Sequence, residues 1–360
     1  MHQSISLTSA AQPRNLIVHL RWMSFAIYFV MCSQAESQSI NIENTSSNPA
    51  QQLSTSTTTH DHQSPLQDFE RLVTDSWVVT ALSGKKMVHT WKWGPGRWSV
   101  ERWTDGESAG GEPWKELVVY YWDPQQRKIR LLGVSPFAGG ISQGTIEFDA
   151  DSATTNFTLT QTSGRRVMQA RWSFQGDSLY QETLLERDSS GKFTELVAFQ
   201  HHRIKRRDDP PAVDAVRHEI PESFASIKFL IGKPWNGTIE DQQRSFQSSV
   251  NWLPIANCIH ATIKETTNGS SIEFAHAYLY HEHKAKTLRC LIVCANSDIY
   301  EGALSELATG EVQLKLNGHH NGNSLQLESL IEQIADGSLQ QNIQSSATSN
   351  ASDLLLKHQR

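Results

Sequence analysis

Val167-Met168-Gln169-Ala170-Arg171-Trp172-Ser173-Phe174 decides the fold class. Met168, Ala170, Trp172 and Phe174 alternate with Val167, Gln169, Arg171 and Ser173, a period of two that puts one set on each face of an extended strand. The pattern recurs outward from there. Phe157, Leu159 and Gln161 alternate with Asn156, Thr158 and Thr160, and Val312, Leu314 and Leu316 alternate with Glu311, Gln313 and Lys315. Turn signals punctuate these runs at Asp105-Gly106, Asp123-Pro124, Ser163-Gly164, Gln175-Gly176-Asp177, Asn268-Gly269, Asn317-Gly318 and Asp336-Gly337. A helical period is confined to Gln67–Thr74 and Pro221–Ile231. Many short strands at close spacing predict an all-β protein, built as a sandwich or barrel and not as a parallel α/β sheet.

The chain also repeats itself. Displacement by 158 residues lays Leu72-Val73 on Leu230-Ile231, Trp77 on Trp235, Thr80 on Thr238 and Tyr120 on Tyr278. The same step lays Trp122 on Tyr280, Gly144 on Gly302 and Ile146 on Leu304. Asp105-Gly106 meets Asn268-Gly269 only after a further shift of five residues, as expected where a hairpin loop changes length. Two related β domains are therefore expected in tandem, at 66–204 and 222–345. The linker between them, 205–221, holds Pro210-Pro211 and many charges.

Outside the repeat the chain is polar or carries an address. Arg14, His19 and Arg21 precede an apolar run, Trp22–Cys32, and then Ser33-Gln34-Ala35. That is the order of a signal peptide over residues 1–35, and it predicts an exported protein, periplasmic or extracellular. The apolar run is shorter than the ~20 residues that span a bilayer, so no integral membrane segment is expected after cleavage. Residues 36–65 and 346–360 are expected to be disordered polar segments. The formal net charge is −6, and no Lys/Arg stripe stands out, which argues against nucleic acid as a partner. Loss of Cys32 with the leader leaves Cys258, Cys290 and Cys294. Their strand spacing places them too far apart to pair, so three reduced, buried thiols are predicted.

Several segments together resemble an uncharacterised bacterial family of lipocalin-like, or calycin, β-barrel domains. They are Trp91-Lys92-Trp93-Gly94-Pro95-Gly96-Arg97, Trp114 to Trp122-Asp123-Pro124, and Ile129 to Phe137. Gly232-Lys233-Pro234-Trp235-Asn236-Gly237 is similar to the Gly-x-Trp opening strand of calycins, with one residue added. The first domain has Thr74 where that Gly would stand. The resemblance implies two up-and-down antiparallel barrels, each closed or nearly so around a cavity. It implies no reaction, because fold does not carry function.

Eight of the eleven Trp residues fall in the first domain. Aromatic side chains of that size either fill a barrel or line a pocket for an apolar ligand. His89 alternates with Trp91 and Trp93, and a His among Trp rings can hold a ligand's polar group or a haem iron. His89, Trp91, Trp93, Tyr121 and Arg130 are the candidate ligand-binding residues, for an apolar small molecule or lipid. The sequence points to no particular cofactor. Filled barrels acting as a structural or interaction protein are the alternative. Arg130 and Glu101 are charges in apolar strand contexts, and an inward pair would need mutual compensation. His281-Glu282-His283 is a tight group of metal-ligand types without a visible third ligand, so no metal site is assigned. No catalytic residue is assigned either. Gly133-Val134-Ser135-Pro136-Phe137 lacks the second Gly of a nucleophile elbow. Gly139-Gly140-Ile141-Ser142-Gln143-Gly144 joins strands and opens no helix. Glu182 and Glu186 share a strand face about 13 Å apart, too far for a glycosidase pair.

Overall fold

The structure is a computed structural model. It describes residues 64–359 except 74, 81–85, 108–110, 112, 136–139, 206–219, 233, 240–243, 254–256, 309–310, 321–322, 334–338 and 346–353. The leader, the linker and the Asp336-Gly337 turn lie wholly or mostly outside the described residues.

The protein is all-β. Ten strands close an antiparallel barrel: β1 Ser76–Thr80, β2 Lys86–Trp93, β3 Ser99–Glu107, β4 Pro113–Asp123, β5 Lys128–Ser135, β6 Gly140–Asp149, β7 Ser152–Gln161, β8 Gly164–Phe174, β9 Leu179–Arg187 and β10 Phe193–Ile204. Each strand pairs with its neighbour in sequence, and β1 returns to β10 through Ser76↔Ile204 to Val79↔His201. A second antiparallel meander follows: β11 Pro234–Ile239, β12 Arg244–Leu253, β13 Cys258–Thr267, β14 Ser270–Glu282, β15 Thr287–Cys294, β16 Ile299–Glu306, β17 Val312–His320 and β18 Asn323–Gln333. β19 (Leu339–Ser345) and β20 (Leu354–Gln359) continue it, and β20 meets β11 at Asn236↔Gln359 and Gly237↔His358. β20 occupies residues expected to be a disordered polar segment; the Leu354-Leu355-Leu356 run gives that end a strand to contribute.

A short helical stretch precedes each sheet. In the first, Leu66, Phe69 and Leu72 are fully buried against Trp91, Tyr120 and Phe148 at one end of the barrel. The Trp77 indole donates to the Leu72 carbonyl at 3.1 Å, and the Trp235 indole donates to the Leu230 carbonyl at 3.2 Å. The opening of the repeat is thus one device used twice: an indole ties the end of a helical turn to the first strand. Gly144 and Gly302 are a second matched pair. A Cβ at Gly144 would stand 2.0 Å from the Asn156 carbonyl oxygen, and one at Gly302 would stand 1.8 Å from that of Lys315. Only glycine allows the neighbouring strand so close.

Two sequence readings need correction. Across the β4–β5 hairpin the repeat step is 159, because Tyr121↔Arg130 corresponds to Tyr280↔Arg289. Laying Tyr120 on Tyr278 therefore misassigns faces: Tyr120 points into its barrel and Tyr278 points out. A one-residue slip reverses every side chain in a strand. Asp105-Gly106 and Asn317-Gly318 are strand residues of β3 and β17, not turns. Asn268-Gly269 is a true turn, with both residues in the left-handed region at φ 52° and 79°.

The two units share a buried seam. Leu117, Val119, Tyr121, Leu132, Val134 and Ile141 on the outer face of the barrel pack against Cys258, Tyr278, Tyr280, Leu291, Val293 and Ile299 of the second sheet. Gly96 sits in the left-handed region at φ 57°, and a Cβ there would lie 2.2 Å from the Ala295 carbonyl oxygen. Cys258, Cys290 and Cys294 are buried thiols joined in no disulfide, as predicted.

Candidate functional site

The first barrel contains a cavity of about 420 Å³ in the half away from its helical plug. Its walls come from the starts of the even-numbered strands and the ends of the odd ones, and Tyr120 and Trp172 form its floor. The apolar part of the lining includes Val118, Leu131, Phe157, Leu159, Met168 and Leu184. Space exists here because Gly133, Ser135 and Ser142 face inward where a barrel of this size would otherwise need larger side chains.

One wall is ionic. Arg102 Nη2 donates to Glu116 Oε1 at 2.8 Å, and its Nη1 lies 3.9 Å from Glu182 Oε1. Glu182 Oε2 lies 3.1 Å from His201 Nε2. His89 stands beside His201 with ring centroids 5.0 Å apart, and Tyr180 stacks on the other side of His201 at 4.0 Å and 12°. Strand alternation places these side chains: Arg102 is inward in β3 while its neighbours Glu101 and Trp103 point out, and Glu182 follows Tyr180 into the interior from β9.

The charge states follow from burial. Burial raises the Glu182 carboxyl, but the His201 hydrogen bond and the Arg102 charge outweigh it and bring it down to about 2. Burial lowers His89 well below the usual histidine range, and the Arg102 guanidinium lowers it further. Burial also lowers His201, against the pull of Glu182. At neutral pH the wall therefore holds the Glu182 carboxylate, the Arg102 guanidinium and two neutral imidazoles. His89 Nδ1, Arg102 Nε, Thr104 Oγ1, Thr155 Oγ1 and Trp172 Nε1 have no hydrogen-bond partner among the described residues. These are donors and acceptors held dry and unmatched next to an open volume.

The candidate ligand-binding residues separate. His89 lines the cavity. Trp91 lies beneath it, packed on Tyr120 at 5.8 Å and edge-on to Trp172 at 5.9 Å. Trp93 packs at the plugged end with the Arg97 guanidinium 4.3 Å over its ring. Tyr121 and Arg130 face the opposite way, into the seam between the units. There Tyr121 donates to Glu301, and Arg130 bridges Glu301 at 3.1 Å and Asp123 at 3.3 Å. Their odd–even position relative to Tyr120 and Leu131 forbids them the interior. Arg130 and Glu101 do not compensate each other: Glu101 is 3% exposed on the outer face of β3, with partners from the second sheet. Arg102, Glu116, Glu182 and His201 were not legible as a group, because each is a single inward charge on a different strand.

His281 and His283 stand 5.1 Å apart, and Glu282 turns to Arg289 at 3.7 Å. Among the described residues, the group of metal-ligating side chains that converges is instead Glu101, His260 and His276. No helix among the described residues is long and apolar enough to cross a membrane. No family model matches the chain, and no curated protein is similar to it.

Proposed function

We propose that the first barrel binds a small amphiphile, with its apolar body on Val118, Leu131, Phe157 and Met168 and a polar head at the Arg102–Glu182–His201 wall. The observation that carries this reading is the cavity of about 420 Å³, within the range of small-molecule sites, lined by apolar side chains and by unmatched polar atoms. The wall also selects. Arg102 is already neutralised by Glu116 and Glu182, so a carboxylate head would meet two carboxylates and no free cation. A cationic head matches the wall better. The second unit, with an interior packed by apolar side chains, serves as a support for the first. The wider reading is an exported carrier made of two tandem calycin-like barrels. The two-residue pairing of β20 with β11 and the shared indole–carbonyl tie support it.

Native mass spectrometry of residues 36–360, purified from the host without delipidation, tests the reading. A reproducible added mass, lost on denaturation and lost in Gly133→Ile, is expected. A bare mass together with equal indifference to a long-chain amine and the matching fatty acid would sink it. Tighter binding of the fatty acid would overturn the selectivity alone.

A further inference from the structure

The seam between the two units carries a cluster that neither the cavity nor the proposed ligand uses. Glu101 comes from β3 of the barrel, His260 from β13 and His276 from β14 of the second sheet. Glu101 Oε1 lies 2.7 Å from His276 Nδ1 and 3.5 Å from His260 Nε2, and the three ligand atoms all fall within 4.8 Å of one another. The two imidazole rings stand nearly perpendicular, 4.9 Å apart at 87°, so both edges can face one point.

We infer that Glu101, His260 and His276 form a divalent transition-metal site of the zinc type that joins the two units. A tetrahedral ion with ligands at about 2.0–2.1 Å separates them by roughly 3.3 Å, so shifts of well under 1 Å on each side would complete the set. The surroundings are those of a ligand set. His276 Nε2 lies 2.9 Å from Glu273 Oε1, an ion-pair distance from a carboxylate that would orient the ring once a metal is bound. Trp103 donates to the second oxygen of Glu101 at 2.7 Å, and Tyr278 donates to the first at 2.5 Å, fixing that carboxylate in place. His260 Nε2 lies beyond a normal hydrogen bond from Glu101 and has no other partner among the described residues. Two carboxylates, Glu101 and Glu273, would balance a 2+ ion held by two neutral imidazoles. Two His and one Glu leave a position open for water.

The test uses the full mature chain stripped with a chelator and titrated with Co2+, whose visible bands report coordination, and then with Zn2+ in competition. One Co2+ per chain with tetrahedral-type bands, displaced by Zn2+, is expected. His260→Ala keeps the Glu101–His276 pair and so the fold, and it should weaken binding at least 100-fold. Glu273→Gln should weaken it about 10–100-fold by releasing the His276 ring. His281→Ala/His283→Ala should bind as the parent does. Absence of bands at 1 mM Co2+ overturns the site, as does unchanged binding in His260→Ala or loss of binding in the His281/His283 variant.

Discussion

The insides of the two units differ far more than their outlines. The β4–β5 pair Val118↔Gly133 in the first corresponds to Ala277↔Ile292 in the second. Under the same step, Glu116 and Ser135 become Ala275 and Cys294, and Tyr120 becomes Leu279. The second interior is a continuous apolar cluster in which Ile263, Leu279, Ile292, Leu314 and Leu327 pack with Trp235, Phe246, Phe274 and Tyr300. The first places small residues on one wall, Trp rings on the floor and an ionic cluster opposite. The repeat has kept the parts that close a sheet, namely the indole tie and the strand glycine. It has changed the parts that fill it. Conserving closure while varying content is how one architecture comes to line its interior with polar groups in one copy and with apolar side chains in the other.

The sharpest way to break this contrast is Arg102→Met. It leaves Glu116 and Glu182 buried without their cation, and the barrel should lose about 3–5 kcal/mol in urea unfolding followed by Trp fluorescence. That signal reports mainly the first unit, which holds eight of the eleven Trp residues. Adding Glu116→Gln and Glu182→Gln should restore most of the loss; no recovery would show that the guanidinium acts by packing alone.

Acid should separate the units next. His89 and His201 are held neutral in the fold but protonate near pH 6.5 when unfolded, so the unfolded state binds more protons below that pH. Stability of the first unit is therefore complete above about pH 6.5 and declines as pH falls, by up to about 1.4 kcal/mol per pH unit for each ring. Below pH 4.5 Glu182 adds to the decline, since its folded carboxyl stays ionised down to about 2. His89→Gln should flatten the slope between pH 6.5 and 5, and an unchanged slope would move the effect elsewhere.

Trp77→Phe and Trp235→Phe sharpen the part that is shared. Each removes one buried indole–carbonyl hydrogen bond and should cost about 1 kcal/mol in its own unit. Unequal losses in calorimetry would mean that the matched geometry hides unequal roles. The smallest expected effect is Thr155→Val. It removes a dry, unmatched hydroxyl and should stabilise the ligand-free barrel by under about 1 kcal/mol while weakening the ligand.

Much of this architecture was legible because period-two alternation reports which residues share a face. Met168, Ala170 and Trp172 face inward together, as their spacing says they must. What alternation does not report is which face is inside. Tyr121 and Arg130 sit in apolar runs on both faces of β4 and β5, since one face meets the barrel core and the other meets the second unit. That double burial erased the polar–apolar contrast which would have oriented them. The Glu101–His260–His276 cluster was hidden for a related reason: its members are far apart in sequence and meet only across a seam. The tight His281-Glu282-His283 triplet drew the eye because it is contiguous, and contiguity is a poor guide to convergence on a strand.

The closing strand β1 has a consequence for how the molecule is made. β1 pairs with β2 through Trp77↔His89 and with β10 through Val79↔His201, so the two cavity imidazoles flank the last strand to be joined. On a ribosome, β1 emerges with one edge open and keeps it open until β10 arrives 128 residues after Ser76. The interval leaves a sticky border exposed while most of the barrel is being synthesised. A molecule resting against His89 and His201 would span that border and act as a latch on it, so cargo supply and successful maturation of the chain would be coupled.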